Sequence, residues 1–187
     1  ARATETSRRM GTRTAAQGPL GRILAAGYAY GDGLIRLWNV ATGGLLGLLE
    51  GHKGWVSSLV FSSDGQTLFS ASADQTIRVW SIAEKRELNR LQGHTGGVTG
   101  MALAPDGKTL VSCAEDGSVR AWDPQSDRAT ASRAHVALPV HVAPFGAPFT
   151  ADRRRFITAS RVAPVTIWSI ATATEIERIP ALGTNNQ

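Results

Sequence analysis

Trp38, Trp80 and Trp122 stand 42 residues apart, and nothing else in the chain restricts its fold as much. Gly51-His52 and Gly93-His94 keep the same step, as do Asp32, Asp74 and Asp116, each six residues before its tryptophan. A fixed period of this length is the mark of one supersecondary unit copied along a chain. A unit of that size cannot bury its own apolar face, so the copies must pack on one another. The expected product is a repeat scaffold that offers surface, which moves the functional expectation from chemistry towards binding.

Within a unit the residues read as strands. In the second, Val56 to Ser62, Thr67 to Ser72 and Thr76 to Trp80 are short strand-like runs, and a weaker fourth follows at Glu87 to Gln92. Asp64-Gly65 and Asp106-Gly107 fall between the first two runs of their units, where Asp-Gly favours a tight hairpin turn. Asp74 and Asp116 mark the next turn. No stretch shows sustained helical periodicity. About four short antiparallel strands per unit is the pattern of a β-propeller blade, so the fold class is all-β.

The units resemble WD40 repeats, with Gly-His at one end and Trp-Asp or a variant at the other: Trp38-Asn39, Trp80-Ser81, Trp122-Asp123 and Trp168-Ser169. The resemblance covers roughly residues 18 to 182. It divides the chain into an Arg-rich flexible tail or linker (1–17), units at about 18–50, 51–92, 93–134 and 135–182, and a short end (183–187). The first and fourth units are degenerate. The first lacks Gly-His, has two residues inserted between Leu24 and Asp32, and carries Tyr28 or Tyr30 where serine is expected. In the fourth, Phe149 to Ser160 matches Phe61 to Ser72, but Arg153 replaces the turn glycine, Val162 the turn aspartate, and Pro164 enters an inner strand. Propellers of this type usually need about seven blades to close. Four imply an incomplete or open propeller, a fragment or a part completed by further repeats, with edges that invite self-association.

The net charge is +5, yet it is uneven. Residues 1–22 hold five arginines and one glutamate, while residues 51–134 hold nine basic and nine acidic groups. A nucleic-acid-reading face needs a clustered basic stripe. Only Arg153, Arg154 and Arg155 form one, and they replace a turn, so they read as a solvated hairpin tip. The start of the chain has no apolar core of a secretory signal, and no apolar run reaches transmembrane length. The expected location is cytoplasmic, with no membrane partner. The single cysteine, Cys113, excludes an internal disulfide and stands where the second unit has Ala71, so it reads as a small core residue.

Each good unit contains a His, a Ser and an Asp. His52, Ser70 or Ser72, and Asp74 in the second, and His94, Ser112 and Asp116 in the third, could suggest catalytic triads. An active site is built once, however, and this set repeats with the scaffold. The resemblance implies that these residues form, with Trp80 and Trp122, a hydrogen-bonded network inside each blade, with Asp32 and Trp38 as its remnant in the first. The alternation of a strand does not decide between Ser70 and Ser72. His52 and His94 lack further ligands for a tetrahedral metal site, and His135 and His141 form only a pair. Gly107-Lys108-Thr109 resembles the end of a phosphate-binding loop, but Ala102 stands where that loop needs glycine. No metal, cofactor or enzymatic activity is expected.

Trp55 falls outside the period; its counterpart is Gly97. It follows Gly-His, in a loop that the resemblance places on the face where partners bind. It reads either as a surface anchor or as packing against the next blade. Its expected neighbours are Lys53, Thr95 and Gly97, with Ala73, Glu115 and Arg161. The reading that results is a non-catalytic protein–protein interaction scaffold. The rivals are a regulatory or targeting segment of a larger signalling enzyme, such as a protein kinase, and nucleic-acid association through the basic tail and Arg153–Arg155.

Overall fold

The computed structural model describes residues 12–28, 33–125, 132–137, 155–158, 165–169 and 175–179. These residues are all-β, with no helix among them. The first sheet is β1 (Thr12–Gln17), β2 (Ile23–Tyr28), β3 (Ile35–Asn39) and β4 (Leu45–Leu49), in that spatial order. The second is β5 (Val56–Phe61), β6 (Thr67–Ser72), β7 (Ile77–Ser81) and β8 (Arg86–Leu91). The third is β9 (Val98–Leu103), β10 (Leu110–Ala114), β11 (Ser118–Trp122) and β12 (Ser132–Ala137). The fourth is described through β13 (Arg155–Thr158), β14 (Val165–Ser169) and β15 (Glu175–Ile179). Every pairing is antiparallel between chain neighbours, the meander of a propeller blade.

Two boundaries differ from those expected. Thr12–Gln17, placed in the tail by sequence, is the innermost strand of the first sheet and pairs with β2. Thr12, Thr14 and Ala16 turn inward while Arg13, Ala15 and Gln17 face solvent. Small and polar inward residues hide the strand from an apolar-pattern reading. The third sheet runs to Ala137 rather than 134, because β12 pairs along the whole of β11.

The Asp-Gly signals are turns. Gly65 N–H donates to Ser62 O at 3.0 Å and Gly107 N–H to Ala104 O at 2.9 Å, both glycines at positive φ. In each turn the aspartate caps following amides, Asp64 that of Gln66 and Asp106 those of Lys108 and Thr109.

The core lies between sheets rather than within one. Ala25, Ile35, Leu37 and Leu49 of the first sheet meet Val56, Leu59, Leu68 and Trp80 of the second. Phe69, Ala71, Ile77, Val79 and Leu91 of the second meet Val98, Met101, Leu110, Ala114 and Trp122 of the third. The repeat cannot bury its face alone, and these joints are where it is buried. Ser57 Oγ donates to Val98 O across the second joint. The first three sheets therefore stack in chain order. Cys113 sits in the third sheet, fully buried, and burial pushes its thiol up to about 12.

On the outer strand β4, Leu45, Leu46 and Leu48 are exposed. Strand β8, at the same place in its blade, instead carries Glu87 paired with Arg78 and Arg90. Charge guards one edge and not the other.

Candidate functional site

The repeated polar residues meet inside the second and third sheets. His52 leaves the loop before β5 and is 4% exposed. Its Nδ1–H donates to Asp74 Oδ2 at 2.8 Å, and its Nε2 accepts from Ser70 Oγ at 2.7 Å. The indole Nε1–H of Trp80 donates to the same Ser70 Oγ at 2.7 Å. A neutral imidazole with its proton on Nδ1 satisfies every member: indole to hydroxyl, hydroxyl to ring, ring to carboxylate. The third sheet repeats the chain, His94 to Asp116 at 3.1 Å, Ser112 to His94 at 2.7 Å and Trp122 to Ser112 at 2.7 Å. In both, the His ring meets the Trp ring edge to face, with centroids 6.1 and 5.7 Å apart.

The choice between the two serines is settled by depth along the strand. Ser70 and Ser72 lie on one face of β6, as residues two apart must. Ser72 is at the turn end, where its hydroxyl donates to Gly54 O and accepts from the Asp74 amide. It fixes the loop and is outside the His–Trp network. In the first sheet, Leu24 faces Trp38 as Leu68 faces Trp80, so the residue equivalent to Ser70 is Ala26, not Tyr28 or Tyr30. Trp38 there is only half-buried. Asp32 lies outside the described residues, as do Arg161, His141, Arg153 and Arg154.

Two further partners escaped the sequence reading. Thr76 Oγ donates to Asp74 Oδ1 at 2.6 Å, and Ser118 Oγ to Asp116 Oδ1 at 2.6 Å. Both stand two residues after the aspartate, on the 42-residue step. Arg78 and Arg120 keep the step too, two residues before their tryptophans, with guanidinium carbons 5.9 Å from the Trp80 and Trp122 ring centroids. Arg78 also donates to Gly51 O at 2.6 Å. The backbone explains the glycine of Gly-His, and the arginines crowd the same spot. Gly51 and Gly93 both hold φ of 148°, and a Cβ on either would run into the arginine, at 2.9 Å for Gly93.

Electrostatics follow from the same contacts. Burial disfavours the charged form of Asp74, but hydrogen bonds from His52, Thr76 and the Lys53 amide outweigh it and hold the carboxyl well below the usual range. Asp116 is held low in the same way, burial opposing and Ser118 and Thr95 prevailing. Each aspartate thus ties the network to the loop above it, since Lys53 N–H and Thr95 N–H donate at 3.0 and 2.8 Å to the same Oδ2 atoms that accept from the histidines.

Those loops carry the proposed binding residues. Lys53, Trp55, Thr95 and Glu115 are exposed, Ala73 is half-buried and Gly97 is buried. Ala73 N–H donates to Trp55 O at 3.0 Å, and Glu115 N–H to Gly97 O at 2.9 Å. A Cβ on Gly97 would lie 3.2 Å from Ala73 Cα and 3.1 Å from a Glu115 carboxylate oxygen. The second and third sheets therefore meet at Gly97, which packs between Ala73 and Glu115. Trp55 is 40% exposed, with Arg13 of β1 stacked 4.9 Å from its ring centroid. One of the four arginines assigned to a basic tail is thus committed to this face.

In atoms, Asp74–His52–Ser70 matches a hydrolytic triad. Ser70, however, is 0% exposed and its oxygen accepts from Trp80, so no substrate reaches it in this arrangement. Among the described residues no group of three or more metal-binding side chains is present.

Repeated four-stranded sheets with an internal His–Ser–Asp–Trp network define a repeat scaffold of the propeller type. Residues 43–81 and 85–123 match the sequence model of the WD40 family, described as WD domain, G-beta repeat, so these two stretches are WD40 repeats. Each matched stretch runs from the outer strand of one sheet through three strands of the next, β4 to β7 and β8 to β11. A single family unit thereby bridges two sheets. The chain is also similar to two proteins named Periodic tryptophan protein 2 homolog. It is 48% identical to that of Neurospora crassa over 58 residues, 30% of this chain and 6% of the relative. It is 47% identical to that of Schizosaccharomyces pombe over 57 residues, 30% of this chain and 7% of the relative.

Proposed function

We propose that this chain is a non-catalytic protein–protein interaction scaffold whose partner docks on the face formed by the Gly-His loops. One observation carries the reading. The periodic His, Ser and Trp of each blade are buried and turned onto one another and the turn Asp, whereas Trp55, which breaks the period, is exposed on that face. An indole with an apolar body and a free edge is a favoured interface anchor. Arg13 and Lys53 beside it suit a partner that presents a carboxylate next to an apolar side chain.

The test is a partner-binding titration on the Trp55→Ala and Trp80→Ala chains, with denaturant melts of both. Trp55→Ala is expected to weaken binding by about 2 kcal/mol or more while moving the melt less than Trp80→Ala. Equal destabilisation by the two substitutions, or unchanged affinity for Trp55→Ala, contradicts the proposal.

A further inference from the structure

The face formed by the Gly-His loops carries opposite charges at its two ends, and the fold fixes the place of each. At one end is Arg13. It is the extra residue of a β-bulge in β1, where Thr12 and Thr14 pair with the chain neighbours Tyr28 and Gly27. Ser57 holds the same place in β5, between Val56 and Ser58, which pair with Ser72 and Ala71. A bulge re-aims the side chain of its extra residue. Ser57 Oγ reaches Val98 O of the next sheet, and Arg13 reaches Trp55 of the next sheet, its guanidinium carbon 4.9 Å from the ring centroid. The backbone of a strand thus sets this cation on the indole. Lys53, two residues before Trp55 in the same loop, is exposed and adds a second positive charge.

At the other end is Glu115, exposed at the turn between β10 and β11. Ala73 N–H donates to Trp55 O, and the place of a Cβ on Gly97 is 3.2 Å from Ala73 Cα and 3.1 Å from a Glu115 carboxylate oxygen. Trp55 and Gly97 are counterparts on the 42-residue step, as are Ala73 and Glu115. The second sheet therefore offers an indole with an alanine, and the third a carboxylate with a glycine. Along these contacts no side chain larger than a methyl group stands between the indole and the carboxylate. Neighbouring sheets pack about 10 Å apart, a distance that an extended segment crosses in about three residues.

We infer, on the reading that a partner docks on this face, that it binds an extended segment in which an acidic residue adjoins an aliphatic one and a basic residue follows about three residues later. The aliphatic side chain lies on Trp55, the acidic one meets Arg13 and Lys53, and the basic one meets Glu115. A segment with its charges exchanged would set like charges together at both ends.

The test uses the full chain and two capped synthetic peptides, Asp-Leu-Gly-Ser-Lys and its charge-exchanged form Lys-Leu-Gly-Ser-Asp. An NMR titration follows the Trp55 indole and the Gly97 amide. The first peptide is expected to bind at least about tenfold more tightly, since exchange turns two exposed ion pairs into two repulsions. The difference should shrink in about 0.5 M salt. Glu115→Gln should weaken the first peptide about threefold and leave a third, Asp-Leu-Gly-Ser-Gln, unchanged. Equal affinity for the two charged peptides, no shifts at millimolar peptide, or the same effect of Glu115→Gln on all three overturns the inference. Shifts at Trp55 and Gly97 that grow with protein concentration before any peptide is added would make a second copy the occupant, which overturns it equally. Trp55→Ala, followed at Gly97, separates this inference from the reading beneath it. If peptides indifferent to charge order lose their binding in that variant, the docking face stands and the ordered segment falls. If binding survives the loss of the indole intact, both fall.

Discussion

The first sheet and the second share a strand order, a Trp position and an interface, yet only the second holds its tryptophan from inside. Trp80 is 1% exposed and donates to Ser70; Trp38 is half-buried, and Ala26 stands where that serine would be. The comparison separates two roles that the repeat combines. Apolar packing between sheets is enough to keep the first in place, with Ala25, Ile35, Leu37 and Leu49 in the joint. The polar network adds fixed geometry: it binds the loop, the turn and the two central strands of one blade through a single histidine. That is the property a binding face needs, and the loops carrying Trp55, Thr95 and Glu115 stand over the two sheets that have it.

The largest difference is expected from removal of the indoles. Trp80→Ala should cost about 3–5 kcal/mol in a denaturant melt, the usual loss for a buried aromatic. Trp38→Ala should cost clearly less, and equal losses would break the distinction between the sheets. Asp74→Ala leaves His52 Nδ1, Thr76 Oγ and the Lys53 amide without their acceptor, and should cost about 1–3 kcal/mol. Ala26→Ser supplies the missing hydroxyl to the first sheet but not its histidine, and should bring no comparable gain.

Acid should dissolve the same distinction. The carboxyls of Asp74 and Asp116 titrate lower in the folded chain than in the unfolded one. Their contribution is therefore complete above the unfolded value of about 4 and is lost as pH falls towards the folded values. Urea midpoints should be steady on this account from pH 7 to 5 and fall below 4, with a smaller fall in Asp74→Asn. A midpoint that holds or rises between pH 5 and 3 would contradict it. The smallest effect concerns edges. Leu48→Arg gives β4 the residue that β8 has at Arg90, and should reduce self-association in light scattering without moving the melt.

Much of this was legible in the sequence, for definable reasons. The tryptophan step and the Asp-Gly turns are local or periodic signals, and they located the blades and hairpins. Ser70 and Ser72 share a strand face, so alternation could not separate them; the pairing of Leu68 with Trp80 does. Strand β1 was hidden because its inward residues are two threonines and an alanine. Thr76, Arg78, Ser118 and Arg120 were in plain view on the 42-residue step, and attention to every periodic position, not only His, Asp and Trp, would have found them.

The central claim is that the periodic His–Ser–Asp–Trp set is an internal support and the non-periodic Trp55 a surface group. Hydrogen exchange of the indole Nε1 protons, resolved by NMR, tests it without a partner. Trp80 and Trp122 should exchange only through opening of their sheets, far more slowly than Trp38 and Trp55. Asp74→Ala should release Trp80 and leave Trp122 protected. Similar exchange at all four indoles, or a Trp80 proton indifferent to loss of Asp74, would contradict the account.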